Sequence, residues 1–403
     1  MATLNDYRKI VGDEKIDEII REAKPLKGKY IVHVNSTFYG GGVAEVLDSL
    51  VYLMNQVGIK AGWRLLKGSL PFFEITKSFH NGSQGAKIKL TQKIKRTYEE
   101  INRHNSVFMH LEKSDAIVIH DPQALPLIKF YKKQQPWVWR CHVDITNPNK
   151  KLWNYLKGFI NLYDEMIISD KRYRKEDIKI PQTVIMPSID PLNEKNRKLS
   201  NQKTKSILLE QGIKSNKPII SQISRYDVWK DPCGVIDTFK KVKKKVDCQL
   251  VLLGNSATDD PEGLKVYYEV VKKAKKVKDI TLLLNVENND LTVNALQRAS
   301  AVVLQKSIRE GFALTVSEAL WKGTPVIGGN VGGIPNQIIN GKNGYLVNNI
   351  DECAERTVEL LKDDKLRKNM GRRAHEFVKE NFLITRHLLD YIKLLKRVMG
   401  KSR

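Results

Sequence analysis

Apolar residues in this chain recur with two periods. Short runs rich in β-branched residues alternate with longer stretches in which the apolar positions fall three and four apart. YIVHVN (30–35) reads as a strand, followed by a Ser/Thr/Gly loop and a helix over VAEVLDSLVYLMNQVG (43–58). AIVIH (116–120), WVWRCHVDI (137–145), EMIISD (165–170) and TVIMP (183–187) read as further strands with helical patterns between them. From 190 to 218 the composition turns to Asn, Lys, Ser and Glu around a short SILLEQG, as in a hinge. The alternation then restarts with strands at IISQIS, QLVLLGN, ITLLLNV, AVVLQKS and PVIGG, and the last forty residues are helical in period. Strand-helix alternation on both sides of a hinge predicts an α/β protein of two Rossmann-like, doubly wound parallel-sheet domains facing across a cleft. The expected division is 1–190 and 191–382, with 383–403 a helix that packs back on the first domain.

Composition adds bounds. The chain has 403 residues, is 41% hydrophobic and carries a formal charge of +24. That is ample core material for two domains and excludes disordered and disulfide-scaffold classes. The charge invites a polyanion partner. Much of it, however, lies in short lysine runs such as Lys243 to Lys245 that suit solvated helix faces, and no nucleic-acid signature accompanies them. No specific nucleic-acid partner is therefore expected. Cys141, Cys233, Cys248 and Cys353 stand far apart, as free thiols would in a reducing compartment. Neither a leader-like apolar segment nor a membrane-length run is evident, so a cytoplasmic protein with no membrane partner is expected, and a homodimer stays open.

The residues that could carry chemistry cluster at strand ends. Gly40, Gly41 and Gly42 separate the first strand from its helix but fail the G-x-G-x-x-G pattern at Glu45, leaving a tight turn and a ligand loop as equal readings. His142 and Asp144 alternate in WRCHVDI, and His120, Asp121 and Gln123 follow another strand. Arg225 and Lys230 follow IISQIS, where two cations can neutralise a diphosphate. In SIREGFALTVSEAL, Glu310 ends a strand, Gly311, Phe312, Ala313, Leu314 and Thr315 lead into a helix whose amides can meet a phosphate, and Glu318 lies within that helix. There is no Asp-x-Asp pair to hold a divalent metal, so no metal site is assigned, and protein cations are the favoured phosphate neutralisers.

The two domains, Arg225 and Lys230 after the first strand of the second, and Glu310 with Glu318 together resemble the retaining glycosyltransferases of family 4, which have the GT-B fold. HVNSTFYGGGVAEVL, FFEITKSFHNGSQG, HDPQ, WRCHVDI, MPSIDPLNEKN, DDPEG and SIREGF are similar, more narrowly, to the trehalose glycosyltransferring synthases. The resemblance implies a hexosyltransferase that forms α,α-trehalose, reversibly, from UDP-, ADP- or GDP-glucose and free glucose, with no cofactor and no essential divalent metal. It implies an acceptor-binding first domain and a nucleotide-sugar-binding second one. Arg225 and Lys230 would bind the donor diphosphate, Glu310 the donor sugar and Glu318 the ribose, with Gly41, Gly42 and the 311–315 segment also near the donor. His142 would bond the glucosyl unit, and Asp121, Gln123, His142 and Asp144 would line the acceptor side. The same scaffold also fits a retaining trehalose phosphorylase and, in another class, a polyanion-binding protein. The chain departs from the family at Ala313 and Asp231, where glycine is common.

Overall fold

The computed structural model describes residues 2–38, 41–214, 216–255 and 261–400. Gly40, the two aspartates of DDPEG and the final three residues lie outside the described residues. The chain divides into two compact units, one formed by Met1–Ser188 with Ile384–Arg403 and the other by Ile189–Leu383.

The first unit holds six parallel strands: β1 (Tyr30–Asn35), β2 (Lys60–Leu65), β3 (Ala116–His120), β4 (Trp137–Arg140), β5 (Glu165–Ile168) and β6 (Gln182–Val184). Their order is β2-β1-β3-β4-β5-β6, so the winding reverses between β1 and β3. The second unit repeats the plan with β7 (Ile219–Ile223), β8 (Gln249–Gly254), β9 (Ile280–Leu284), β10 (Ser300–Gln305), β11 (Val326–Gly329) and β12 (Gly344–Val347), ordered β12-β11-β10-β7-β8-β9. Here the reversal lies between β7 and β10. Open parallel sheets bind ligands beyond the carboxyl ends of their strands at such reversals. Each unit therefore has a single place where its topology favours a site.

Two strands were not legible in the sequence. β2 (KAGWRL) and β12 (GYLV) are both edge strands; β2 lacks a fully buried residue and β12 spans four residues. An edge position removes the continuous apolar run that marks a buried parallel strand. The stretch read as a hinge is also more ordered than its composition suggests. Ser200 caps a helix over Asn201–Glu210 by accepting from the Lys203 amide at 3.2 Å, and Ile207 and Leu208 are buried with the second unit's core.

The helix Ile384–Gly400 returns to the first unit and buries Leu388, Ile392 and Leu395 on one face. It also makes ionic contacts: Lys393 with Glu18 at 2.9 Å, Lys396 with Glu22 at 2.6 Å and Arg397 with the buried Glu165 at 2.9 Å. Acidic partners recur through the lysine-rich segments, with Lys241 on Asp351, Lys243 on both Asp247 and Asp279, and Lys273 on Asp237. These runs are interleaved with carboxylates, unlike a continuous polyanion track. No helix among the described residues is long and apolar enough to cross a membrane.

Candidate active site

In the second unit, the loops after β7 and β10 carry the candidate donor residues side by side, because these strands are direct neighbours. Lys230 ends a short 3-10 turn (Val228–Lys230) that Asp227 caps, its carboxylate accepting from the Trp229 amide at 2.8 Å. Gln222, on β7, donates to the Lys230 carbonyl at 2.7 Å and fixes the turn from beneath. The Lys230 ammonium is bonded to Glu310, and Ser307 donates to the same Glu310 oxygen at 3.3 Å. Arg225 lies 3.7 Å from Asp227 and is partly exposed. The two loops are further tied by the Ile308 amide on the Trp229 carbonyl at 2.8 Å and by the Arg309 guanidinium over the Trp229 ring at 4.6 Å. Arg225, Lys230 and Glu310 thus share one strand-end constellation.

The helix Leu314–Trp321 begins beyond it, so Leu314 and Thr315 are in its first turn and Ala313 is its N-cap. Phe312 is buried against Phe382, with ring centroids 5.6 Å apart, and its side chain belongs to the core. Glu318 is buried on the same helix, with Gln297 donating weakly to its carboxylate at 3.4 Å. The glycine loop after β11 presses on this segment from the other side. A Cβ on Gly332 would sit 1.6 Å from the Glu310 carbonyl oxygen, and one on Gly329 would sit 2.4 Å from that of Ser307.

Both departures from the family pattern fall on left-handed backbone. Ala313 has φ +68° and Asp231 φ +49°, which explains why glycine is common at each. Asp231 recovers part of the cost by capping the helix Pro232–Lys243, accepting from the Gly234 amide at 3.0 Å, and by pairing with Lys306. Ala313 has no side-chain cap hydrogen bond. Ala313→Gly is therefore expected to stabilise the protein by about 1 kcal/mol, the lower end of the left-handed penalty for an L-residue. Equilibrium urea unfolding checks it, and an unchanged or lowered midpoint contradicts it.

In the first unit, the backbone leaves the strand pattern of WVWRCHVDI early. β4 ends at Arg140, so His142 and Asp144 do not lie on a strand. The Cys141 amide makes the last ladder bond, to the Ile167 carbonyl at 2.9 Å, and the next amide, of His142, donates instead to the Asp121 carboxylate at 2.7 Å. Asp144 then closes a local turn by accepting from the Thr146 amide and hydroxyl at 2.8 and 2.6 Å. Side chains have taken the backbone out of the sheet. Asp121, itself at φ +58°, is buried and is bound through its amide to the Arg140 carbonyl at 2.8 Å. The buried side-chain Oε1 of Gln123 has no partner among the described residues. At the end of β1, Gly41 is the N-cap of the helix Gly42–Gln56 in extended backbone, and a Cβ there would meet nothing within 4 Å.

Around Asp121 and His142 stand groups that the sequence reading did not join to them. His33 Nδ1 lies 3.0 Å from His120 Nε2, and His120 Nδ1 lies 3.0 Å from His142 Nε2. The Arg140 side chain is fully buried with one hydrogen bond, to Ser169 at 3.1 Å, and its Nε and Nη1 are unpartnered among the described residues. His387, from the terminal helix, bonds the Met186 carbonyl at 2.9 Å. Burial holds all four histidines neutral: His33 falls to about 3, and His120, His142 and His387 lie well below the usual value, with the Arg140 charge pushing these three further down.

A histidine with a depressed folded value binds fewer protons folded than unfolded, so its stabilising contribution is full above about pH 6.5 and drains as pH falls through that value. Asp121, which burial raises to about 6, works in the opposite sense between that value and its ordinary one near 4. Four groups outweigh one. The expected outcome is a melting temperature that drops steadily from pH 7 to pH 5, and a flat or rising profile over that range contradicts it.

Comparison with known proteins follows the same division. A family model described as "Trehalose synthase, N-terminal domain" matches residues 33–175, and one described as "Glycosyl transferases group 1" matches residues 204–377. The chain is 48% identical to the trehalose synthase of Thermococcus litoralis over 97% of its own length and 96% of that protein's. The chain belongs to the trehalose synthase family. A trehalose phosphorylase of Grifola frondosa is 28% identical over 94% of the chain but only 58% of its own length. Among solved structures, the sucrose-phosphate synthase of Thermosynechococcus elongatus superposes with a TM-score of 0.73 at 15% identity, covering 93% of this chain and all of that one, a likeness of fold. Both units are thus those of a GT-B glycosyltransferase, and this member of the trehalose synthase family is a hexosyltransferase that takes a sugar donor and an acceptor.

Proposed function

We propose that the enzyme forms α,α-trehalose, reversibly and with retention, from a nucleoside-diphosphate glucose and free glucose. The observation that carries this reading is the identity to a trehalose synthase along nearly the whole chain. The strand-end constellation in the second unit supports the donor part. Arg225 and Lys230 bind the diphosphate, Glu310 the glucosyl hydroxyls and Glu318 the ribose, while the amides of Leu314 and Thr315 face the phosphates. Gly311 and Ala313 contribute only backbone beside them. These cations take the role that a divalent metal plays in other transferases, and no cofactor enters. In the first unit His142 bonds the glucosyl group, the open space at Gly41 admits the donor with Gly42 beside it, and Asp121, Gln123 and Asp144 are acceptor-side groups.

The chemistry follows from charge. The bond between glucosyl C1 and the phosphate oxygen breaks, positive charge grows on the sugar and negative charge on the diphosphate. The anomeric hydroxyl of the acceptor forms the new bond on the same face and passes its proton to the departing phosphate oxygen. Incubation with glucose and each of UDP-, ADP- and GDP-glucose tests the proposal, with the product read by NMR. α,α-Trehalose and free nucleoside diphosphate are expected from at least one donor; no transfer from any of them refutes it.

A further inference from the structure

The three-histidine chain has a property that none of its members has alone. Each neutral imidazole carries one proton, and the two ring-to-ring bonds, His33 to His120 and His120 to His142, are each 3.0 Å. Every bond needs one donor and one acceptor. If all rings are neutral, only two arrangements satisfy both bonds: all three protonated on Nδ1, or all three on Nε2. An imidazolium at His120 could donate both ways, but that ring is buried on β3 directly across from the buried Arg140 on β4, and a second cation there is excluded by desolvation and repulsion. The tautomers are therefore locked together.

The two arrangements differ at their ends. His33 Nε2 is buried and has no partner among the described residues. With all protons on Nε2, that atom is an N–H without an acceptor, the rarer kind of orphan in folded proteins. With all protons on Nδ1 it is a bare lone pair, and the far end of the chain is an N–H on His142 Nδ1, to which no described residue is bonded. His142 is half-buried, whereas His33 and His120 are fully buried.

We infer that His33 and His120 are positioning residues that hold His142 in the Nδ1–H tautomer, so that it presents a fixed hydrogen-bond donor to a hydroxyl oxygen of the transferred sugar. This rests on the reading of His142 as a glucosyl contact. His33, on β1, and His120, on β3, span the winding reversal of the first sheet, so the strand scaffold itself orients the donor. Preorganised donors act on developing charge without reorganising during reaction.

Long-range 1H–15N correlation on protein labelled at histidine, at pH 7.5, reads the tautomers directly, with single histidine variants giving the assignments. The expected result is Nδ1–H for His33, His120 and His142. An Nε2–H form at His142 in the wild-type protein overturns the inference. His33→Leu removes the donor to His120 and is expected to give a tautomer mixture at His142, with transfer slowed by about 10- to 100-fold, as for other outer partners of a liganding histidine. His120→Asn, whose amide can still donate to His142 Nε2, is expected to retain most of the rate, whereas His120→Leu is not. Equal loss in both contradicts the assigned role. His142→Ala separates the two levels: wild-type transfer in that variant refutes the sugar contact, while the labelled wild-type protein still reports whether the tautomer is fixed.

Discussion

Lys230→Ala is expected to lower kcat/KM for glucosyl transfer by about 10²- to 10³-fold, the effect of removing one preorganised charge from a transition state that sheds a diphosphate. The ion pair with Glu310 complicates any single substitution. The Lys230 and Glu310 side chains are 18% and 9% exposed, so removing the lysine also strands a buried carboxylate, which can cost about 3–5 kcal/mol of stability. The double variant Lys230→Ala with Glu310→Gln resolves the two effects. Glu310→Gln by itself is expected to abolish transfer, so the comparison is read as nucleoside-diphosphate affinity: if Lys230 only neutralised Glu310, the double variant would bind the nucleotide as tightly as Glu310→Gln alone. If it binds the diphosphate, the double variant recovers the melting temperature but binds the nucleoside diphosphate more weakly than Glu310→Gln alone, whose fold survives; this is the expected outcome.

Gly332→Ala is the second large effect, and it acts without touching a charged group. Gly332 has φ +51°, and the new Cβ would fall 1.6 Å from the Glu310 carbonyl oxygen. Backbone cannot yield as a flexible side chain would, so the loop carrying Glu310 must move. Overpacking of this kind costs about 1–3 kcal/mol or more, the left-handed backbone about 1–2 kcal/mol, and a displacement near 1 Å at a positioning loop about 10²-fold in rate. A fall in kcat/KM of about two orders of magnitude is expected. Gly341→Ala supplies the control, since Gly341 has φ +75° but nothing within 4 Å of the added methyl. It should lose a little stability and keep its transfer rate. Equal activity in the two variants would show that the glycine loop does not set the position of Glu310.

What the sequence disclosed, and what it hid, follows from locality. Arg225, Lys230 and Glu310 were legible because each lies within a strand-loop-helix passage read over a dozen residues, and their neighbourhood follows from adjacent parallel strands. Ala313 and Asp231 stood out as departures, and their left-handed backbone supplies the physical reason. His33 and Arg140 were not singled out. A polar residue inside an apolar run such as YIVHVN has no local partner, and the histidine chain joins residues 87 and 22 positions apart. Its signal, in retrospect, was three histidines carried by three consecutive predicted strands, within apolar runs where an unpaired polar group is costly. The end of β4 was misjudged for a related reason: the alternation of WRCHVDI continues past the point where Asp121 captures the His142 amide. The lysine runs were read as solvated helix faces; Lys240, Lys241 and Lys243 do lie on the helix Pro232–Lys243, while Lys244 and Lys245 fall in the exposed turn that follows it.

The most direct test of the account is to incubate the protein with α,α-trehalose together with either a nucleoside diphosphate or inorganic phosphate. Nucleoside-diphosphate glucose plus glucose, formed only with the nucleotide, is the expected result; glucose 1-phosphate formed with phosphate alone would contradict it.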